Sequence, residues 1–310
     1  MLNNRRWLIV ALFIVYAVVH LCVYWHFTPQ FVDDAYITFR YAARIAEGKG
    51  FTFNDGLGVL GTTTPLWTFL LAVFFGLGAP LSLAAGTLSA LSAALFCTVT
   101  FLMLSDLKCK WLGLLGGPTL LIYERWLFGY LMGMESVLYI AIVVLIIWLA
   151  SRKVWTGIGF LGALAFLCRP DGLVIAFLGI ITIVVYNRRA AMREPLFFMI
   201  ALLPWLIFCL AFVGTILAHS VAANQVIHSA SSSSIVISVS RTLLQDRFII
   251  QSIGAMLAGA VVVILYRRNY WSLFAWPLLY ILGLGASRIQ VGLFPWYLVP
   301  LIGALWLLGL

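Results

Sequence analysis

Residues 5–25 read RRWLIVALFIVYAVVHLCVYW, and this stretch decides the fold class. Two arginines precede an apolar run from Trp7 to Trp25. At 1.5 Å per residue, about 20 such residues cross the ~30 Å hydrocarbon core of a bilayer. No small-residue cleavage site accompanies the run, so it is expected to be an uncleaved signal anchor, its arginines holding the N-terminus in the cytoplasm. The rest of the chain agrees: 64% of its residues are hydrophobic, 9% are charged, and mean hydropathy is +1.09. Residues 1–310 are expected to form one all-α polytopic membrane domain of about 10 transmembrane helices.

The net charge of +9 would suggest nucleic acid in a soluble domain. Here the basic residues stand in short clusters between apolar runs: Lys108 and Lys110, Arg152 and Lys153, Arg188, Arg189 and Arg193, Arg267 and Arg268. That is the pattern of cytoplasmic loops, and it excludes nucleic acid as the expected partner. With these clusters inside, eight of the ten acidic residues fall toward the outer side: Asp33, Asp34, Glu47, Asp55, Glu124, Glu135, Asp171 and Asp246. Only Asp106 and Glu194 stay with the basic loops. The two readings of this asymmetry are a working site open to the periplasm and mere tolerance of acids in translocated loops. The five cysteines have no CxxC spacing, which argues against zinc and disulfides and for small core residues.

Residues 28–82 are expected to form the first periplasmic loop, with juxtamembrane or re-entrant helices. A helix beginning near Asp33 places its acids where the macrodipole favours them, and Gly48-Lys49-Gly50 ends it. Asp33, Arg40, Arg44 and Glu47 then share a stripe, opposite an apolar face of Ala35, Thr38, Phe39, Ala42 and Ile45. The plainer reading is an interfacial helix with Asp33 or Asp34 serving only as its cap. Thr64 and Pro65 open a second helix that meets Gly76, Gly78 and Pro80 too soon for a full crossing, so it should be re-entrant or interfacial. Gly56-Leu57-Gly58-Val59-Leu60-Gly61 matches GxGxxG by letter, but without a βαβ context it is a compact loop.

The stretch Asp33-Asp34-Ala35-Tyr36-Ile37-Thr38-Phe39-Arg40-Tyr41-Ala42, continuing through Gly48-Lys49-Gly50 and Phe53-Asn54 to Gly61-Thr62-Thr63-Thr64-Pro65-Leu66-Trp67, resembles the first periplasmic loop of bacterial GT-C superfamily glycosyltransferases. The likeness is greatest to the AftB-like arabinofuranosyltransferase subgroup. Three more strings match in order: Gly133-Met134-Glu135-Ser136, Cys168-Arg169-Pro170-Asp171-Gly172, and an aromatic turn at Phe294-Pro295-Trp296-Tyr297. Near Ala222-Ala223-Asn224-Gln225 the family's Pro-Asn-Thr type motif is replaced.

The resemblance implies an inverting pentosyl- or hexosyltransferase of the bacterial inner membrane. It would move a sugar from a polyprenyl-phosphate-linked donor to a hydroxyl of a glycan or lipid-linked acceptor, as in lipopolysaccharide or another envelope glycan, at the periplasmic face. The expected base is Asp33, with Asp34 second, because a carboxylate beside the acceptor hydroxyl can take its proton. Donor-phosphate clamps are expected from Arg169 and Arg288, then Arg40, Arg44 and Arg125, since a guanidinium binds two phosphate oxygens at once. For Arg169 with Asp171 a turn-stabilising ion pair is the equal alternative. Glu135, Asp171, Trp296 and Tyr297 are expected to touch substrate. No cofactor is required, although one of the paired aspartates could hold a divalent metal. Glu124 and Arg125, inside the apolar stretch Trp111 to Met134, should face the bundle interior or an aqueous cavity. His20, His26, His219 and His228 lack metal-ligand spacing. Trp25, Trp67, Trp126 and Trp296 are expected as interface anchors. Rival classes are a lipid or glycan flippase, which would want intramembrane charges, and a noncatalytic envelope-assembly partner without a base.

Overall fold

The computed structural model describes residues 2–27, 29, 31–55, 58–216, 219, 270–286 and 295–309. Arg288, Asp246, His228 and the segment around Asn224 lie outside the described residues, as do the side chains of Glu124, Arg125, Trp296 and Tyr297. Helices α1 (Leu2–His26), α2 (Asp33–Ala46), α3 (Pro65–Gly76) and α4 (Leu81–Asp106) come first, then α5 (Lys110–Gly116) and α6 (Glu124–Leu131). They are followed by α7 (Ser136–Ser151), α8 (Ile158–Cys168), α9 (Leu173–Tyr186), α10 (Arg188–Phe208), α11 (Trp271–Ala286) and α12 (Pro295–Gly309). No strand occurs among the described residues.

Among the described residues three helical stretches are long and apolar enough to cross a membrane: Arg6–His26, Leu81–Asp106 and Arg188–Val213. Shorter apolar helices accompany them, so the described residues support an all-helical, membrane-associated chain and fall short of about ten full spans. α4 is the centre of the bundle, 78% of its most apolar window being buried, against 11% for the α10 stretch. The sequence explains the difference. Ala84, Ala85, Gly86, Ser89, Ala90, Ala93 and Ala94 give α4 a surface on which neighbours approach closely. At Gly86 a Cβ would fall 2.1 Å from the Tyr24 ring, and the Tyr24 hydroxyl donates to Ser82 O at 2.6 Å. Buried Ser92, Thr98 and Thr182 satisfy their hydroxyls on the carbonyl one turn back, at 2.6–2.7 Å. Cys97, Cys168 and Cys209 are buried as expected of core residues, whereas Cys22 and Cys109 are exposed.

The bundle has two chemically distinct ends. At one, Asp106 accepts from Arg152 at 3.0 Å and Trp148 at 3.1 Å. Buried Glu194 takes the Gly157 and Gly159 N–H groups at 3.0 and 3.1 Å beside Arg193, and Trp155 stacks on Tyr186. The C-termini of α4, α7 and α9 and the N-termini of α8 and α10 meet here, gathering the clusters at Lys108, Arg152 and Arg188. Asp106 and Glu194 sit with them, as the charge pattern anticipates.

α2 and α3 pack together at the other end. α3 has 12 residues, about 18 Å of helix, too short to cross. Both its ends stay there, Trp67 bonding the turn before α7 and Ala79 leading into α4 beside Tyr24. The stretch from Trp111 to Met134 is not one continuous helix: α5, a 3₁₀ turn at Pro118–Ile122 and α6 share the path, and Glu124 and Arg125 open α6. Pro118 and the glycines before it interrupt the helix.

Candidate active site

α2 starts at Asp33 and ends at Ala46, with Gly48 and Gly50 at positive φ, where the sequence places it. Its N-cap residue is Val32, which makes no side-chain cap. Asp33 Oδ1 accepts the Asp34 N–H at 3.0 Å from an exposed position, so Asp33 tends the first turn without being its N-cap. Asp34 is half-buried. Partial burial, with Asp33 beside it, raises its carboxyl above the usual range.

Docking of this first turn depends on the turn before α7. Val32 N–H donates to Met132 O at 3.4 Å, and Trp67 Nε1 donates to Gly133 O at 3.1 Å. Gly133 has φ +82°, a region costly for other residues, and a Cβ there would lie 2.7 Å from Phe31 and 3.3 Å from Ala35. The glycine is thus what lets the Asp33-Asp34 segment lie against the turn that presents Glu135.

Glu135 is buried, at the mouth of α7. Arg169 stands in extended backbone before Pro170, as a residue preceding proline should, and Gly172 N–H closes the turn onto Arg169 O at 2.8 Å. Its guanidinium bonds Glu135 Oε1 at 3.0 Å through Nη1, and Asp171 at 3.1–3.2 Å through Nε and Nη2. The same group lies 5.6 Å over the Tyr139 ring. Burial pushes the Glu135 carboxyl up against the pull of Arg169, and the Asp171 and Asp34 charges add to the rise. Three of the four strings found in the sequence therefore meet at the end away from the basic clusters. α12 runs from Val299, beside Gly129, to Trp306, which bonds Gly116 O. Its first turn, bearing Trp296 and Tyr297, is thereby directed toward this same end.

Other expected roles are redistributed. The stripe on α2 breaks at Arg44, which is buried and held by Thr52 at 3.0 Å and by Asp55. Arg40 is exposed and donates Nε to Phe53 O at 3.2 Å, and Glu47 pairs with Lys49 at 2.7 Å. Both arginines hold the returning loop, because residues 51–55 and 58–60 fold back over α2, a tertiary event that helical periodicity does not register. Tyr41 is buried for the same reason, bonding Val59 O and receiving Gly61 N–H at 2.9 Å. Arg169 is already engaged by two carboxylates, which leaves it ill-suited to clamp a phosphate. Trp67 and Trp126 are core residues, not interface anchors, whereas Trp25 is 70% exposed. His20 is buried against Tyr16 O, and His219 exchanges hydrogen bonds with Leu60. Among the described residues no group of three or more metal-ligating side chains could hold an ion.

The sequence reading missed Tyr139 and Trp276, whose rings meet at 6.1 Å beside Arg169. Tyr139 lies four residues after Glu135 and therefore on the same helical face, the one signal that could have found it. No protein-family model matches the chain, and no curated protein or solved structure does either.

Proposed function

We propose that this chain is an inverting glycosyltransferase of the bacterial inner membrane. It would use a polyprenyl-phosphate-linked sugar to glycosylate a hydroxyl of a cell-envelope glycan or lipid-linked acceptor. The observation that carries the reading is the meeting of residues 33–34, 133–136 and 169–172 at the end of the bundle opposite the basic clusters. By the positive-inside rule the basic end faces the cytoplasm, so the carboxylate-rich end faces the periplasm. About ten spans, counting the shorter apolar helices and the rest of the chain, belong to the same proposal.

Asp34 is the base in this reading, ahead of Asp33. It is the half-buried member of the pair, whereas Asp33 is exposed and occupied by a backbone N–H. The acceptor hydroxyl gives its proton to Asp34 as its oxygen bonds the anomeric carbon. The bond from that carbon to the phosphate oxygen breaks on the opposite face, and polyprenyl phosphate leaves with the electron pair. Cations near the leaving group lower the barrier, and Arg40, Arg125 and Arg288 are proposed for that role. The ion-paired Glu135, Arg169 and Asp171 form the floor of the site in this reading.

The break between α5 and α6, with Glu124 and Arg125 beside it, favours a second reading, a transporter of the same lipid-linked sugar. Bond cleavage separates the two. Membranes carrying the protein, supplied with polyprenyl phosphate bearing a radiolabelled sugar, should yield bare polyprenyl phosphate and labelled acceptor in equal amounts. Movement of label across the bilayer with no phosphate–sugar bond broken would replace the transferase reading with the transporter.

A further inference from the structure

Glu135 Oε2, the Tyr139 hydroxyl and Trp276 Nε1 are buried and have no hydrogen-bond partner among the described residues. Buried polar atoms in native proteins are almost always paired, so a cluster of unpaired ones asks for a binding partner. They belong to one neighbourhood. Tyr139 N–H bonds Glu135 O at 2.9 Å, the Tyr139 and Trp276 rings lie 6.1 Å apart, and Arg169 joins them, bonding Glu135 Oε1 and covering the Tyr139 ring.

Their chemistry selects the ligand. Trp276 Nε1 can only donate, Glu135 Oε2 accepts, and the Tyr139 hydroxyl does either. Adjacent hydroxyls on one ring match this set: one donates to Glu135 while accepting from Tyr139, and its neighbour accepts from Trp276. A phosphate matches poorly, because the Glu135 and Asp171 carboxylates already occupy the Arg169 guanidinium and would repel it. The Trp276–Tyr280 pair, stacked at 4.9 Å, adds an aromatic wall.

We propose that Glu135, Tyr139 and Trp276 form the site that binds the sugar hydroxyls of the lipid-linked donor, between α7 and α11. This rests on the glycosyl-transfer reading and names what holds the sugar. It removes Arg169 from the phosphate clamp and makes it a positioning residue that aims Glu135.

The test uses the purified full chain in lipid nanodiscs and measures Kd by thermophoresis. Three probes serve: undecaprenyl-phosphate arabinofuranose, undecaprenyl-phosphate glucose and bare undecaprenyl phosphate. The wild-type chain should bind at least one sugar-bearing lipid about tenfold more tightly than bare lipid. Tyr139→Phe and Trp276→Phe should each shrink that ratio by roughly five- to tenfold, the effect of one hydrogen bond, and leave affinity for bare lipid unchanged. Retained affinity for bare lipid shows that a variant is folded. Tyr139→Phe removes a single oxygen and decides the matter should Trp276→Phe misfold. A ratio unchanged within twofold in Tyr139→Phe overturns the site, as does a wild-type chain that binds sugar-bearing and bare lipid alike. Transfer measured in parallel separates the two ideas: transfer with an unchanged ratio overturns only the sugar site, whereas a variant-sensitive ratio without transfer overturns only the reaction.

Discussion

Replacing Arg169 by alanine isolates the energetics on which the floor of the site depends. The guanidinium lies 3.0 Å from Glu135 and 3.1 Å from Asp171, with side chains 5%, 2% and 18% exposed respectively. At about 3 Å and an effective dielectric of ~20, each attraction is on the order of 5 kcal/mol, most of it offset by desolvation of the ions. The assembled triad therefore contributes little net stability, but its removal is costly. Arg169→Ala leaves Glu135 charged, buried and unpaired, for which the typical loss is about 3–5 kcal/mol. At about 2–4 °C per kcal/mol for domains of ~150–250 residues, the apparent Tm should fall by on the order of 10 °C.

Glu135→Gln in the Arg169→Ala background removes the orphaned charge and should restore more than half of that loss. Acid should do the same. Burial raises the Glu135 carboxyl already in the wild type, and loss of Arg169 removes the cation that opposes the rise. The folded state then binds this proton more tightly than the unfolded chain does. Stability is accordingly greatest below the ordinary carboxylate range and is lost as pH rises through the elevated pKa. Thermal unfolding in detergent at pH 5.5 and 7.5, for both single variants and the double variant, measures all of this. A loss under about 1 kcal/mol in Arg169→Ala, or losses that add in the double variant with no recovery, would refute the reasoning.

Gly133→Ala forces a side chain into positive φ and against Phe31 and Ala35, so it should cost about 1–3 kcal/mol and reduce transfer by displacing the Asp34 turn; unfolding and transfer assays on one preparation check both. Single cysteines at Lys49 and Lys153, in a background without native cysteines, should react with a membrane-impermeant maleimide from opposite sides: Lys49→Cys in intact cells, Lys153→Cys only after permeabilisation. Because Asp34 is raised by partial burial and by Asp33, and a base works only when ionised, kcat/KM should rise with pH through a pKa above that of an exposed aspartate. Asp33→Asn should move that limb to lower pH by removing the neighbouring charge.

The membrane class, the limits of α2 and the short length of α3 were legible because each rests on local signals: an apolar run, paired acids at a helix start, glycine and proline at an end. The polarity of the bundle was legible too, since Asp106 and Glu194 lie among the basic clusters that the charge pattern put together. What the sequence hid was non-local. Arg44 and Tyr41 are buried by residues 51–55 and 58–60, which fold back over α2, so an exposed stripe on a helical wheel became an ion pair and a buried phenol. The break between α5 and α6 had a local signal in Gly116-Gly117-Pro118, overshadowed by the apolar character of the residues around it. Arg169 and Glu135 were singled out as separate contacts. Their pairing joins turns more than thirty residues apart, and Trp276 enters through a helix packing that no short motif encodes.

The most direct test of the central claim is transfer by purified Asp34→Asn and Asp33→Asn proteins supplied with polyprenyl-phosphate sugar and a hydroxyl acceptor. Loss of an oriented general base should lower kcat by on the order of 10²- to 10⁴-fold in Asp34→Asn, with less than a tenfold loss in Asp33→Asn. Transfer by Asp34→Asn within twofold of the wild-type rate would contradict the account.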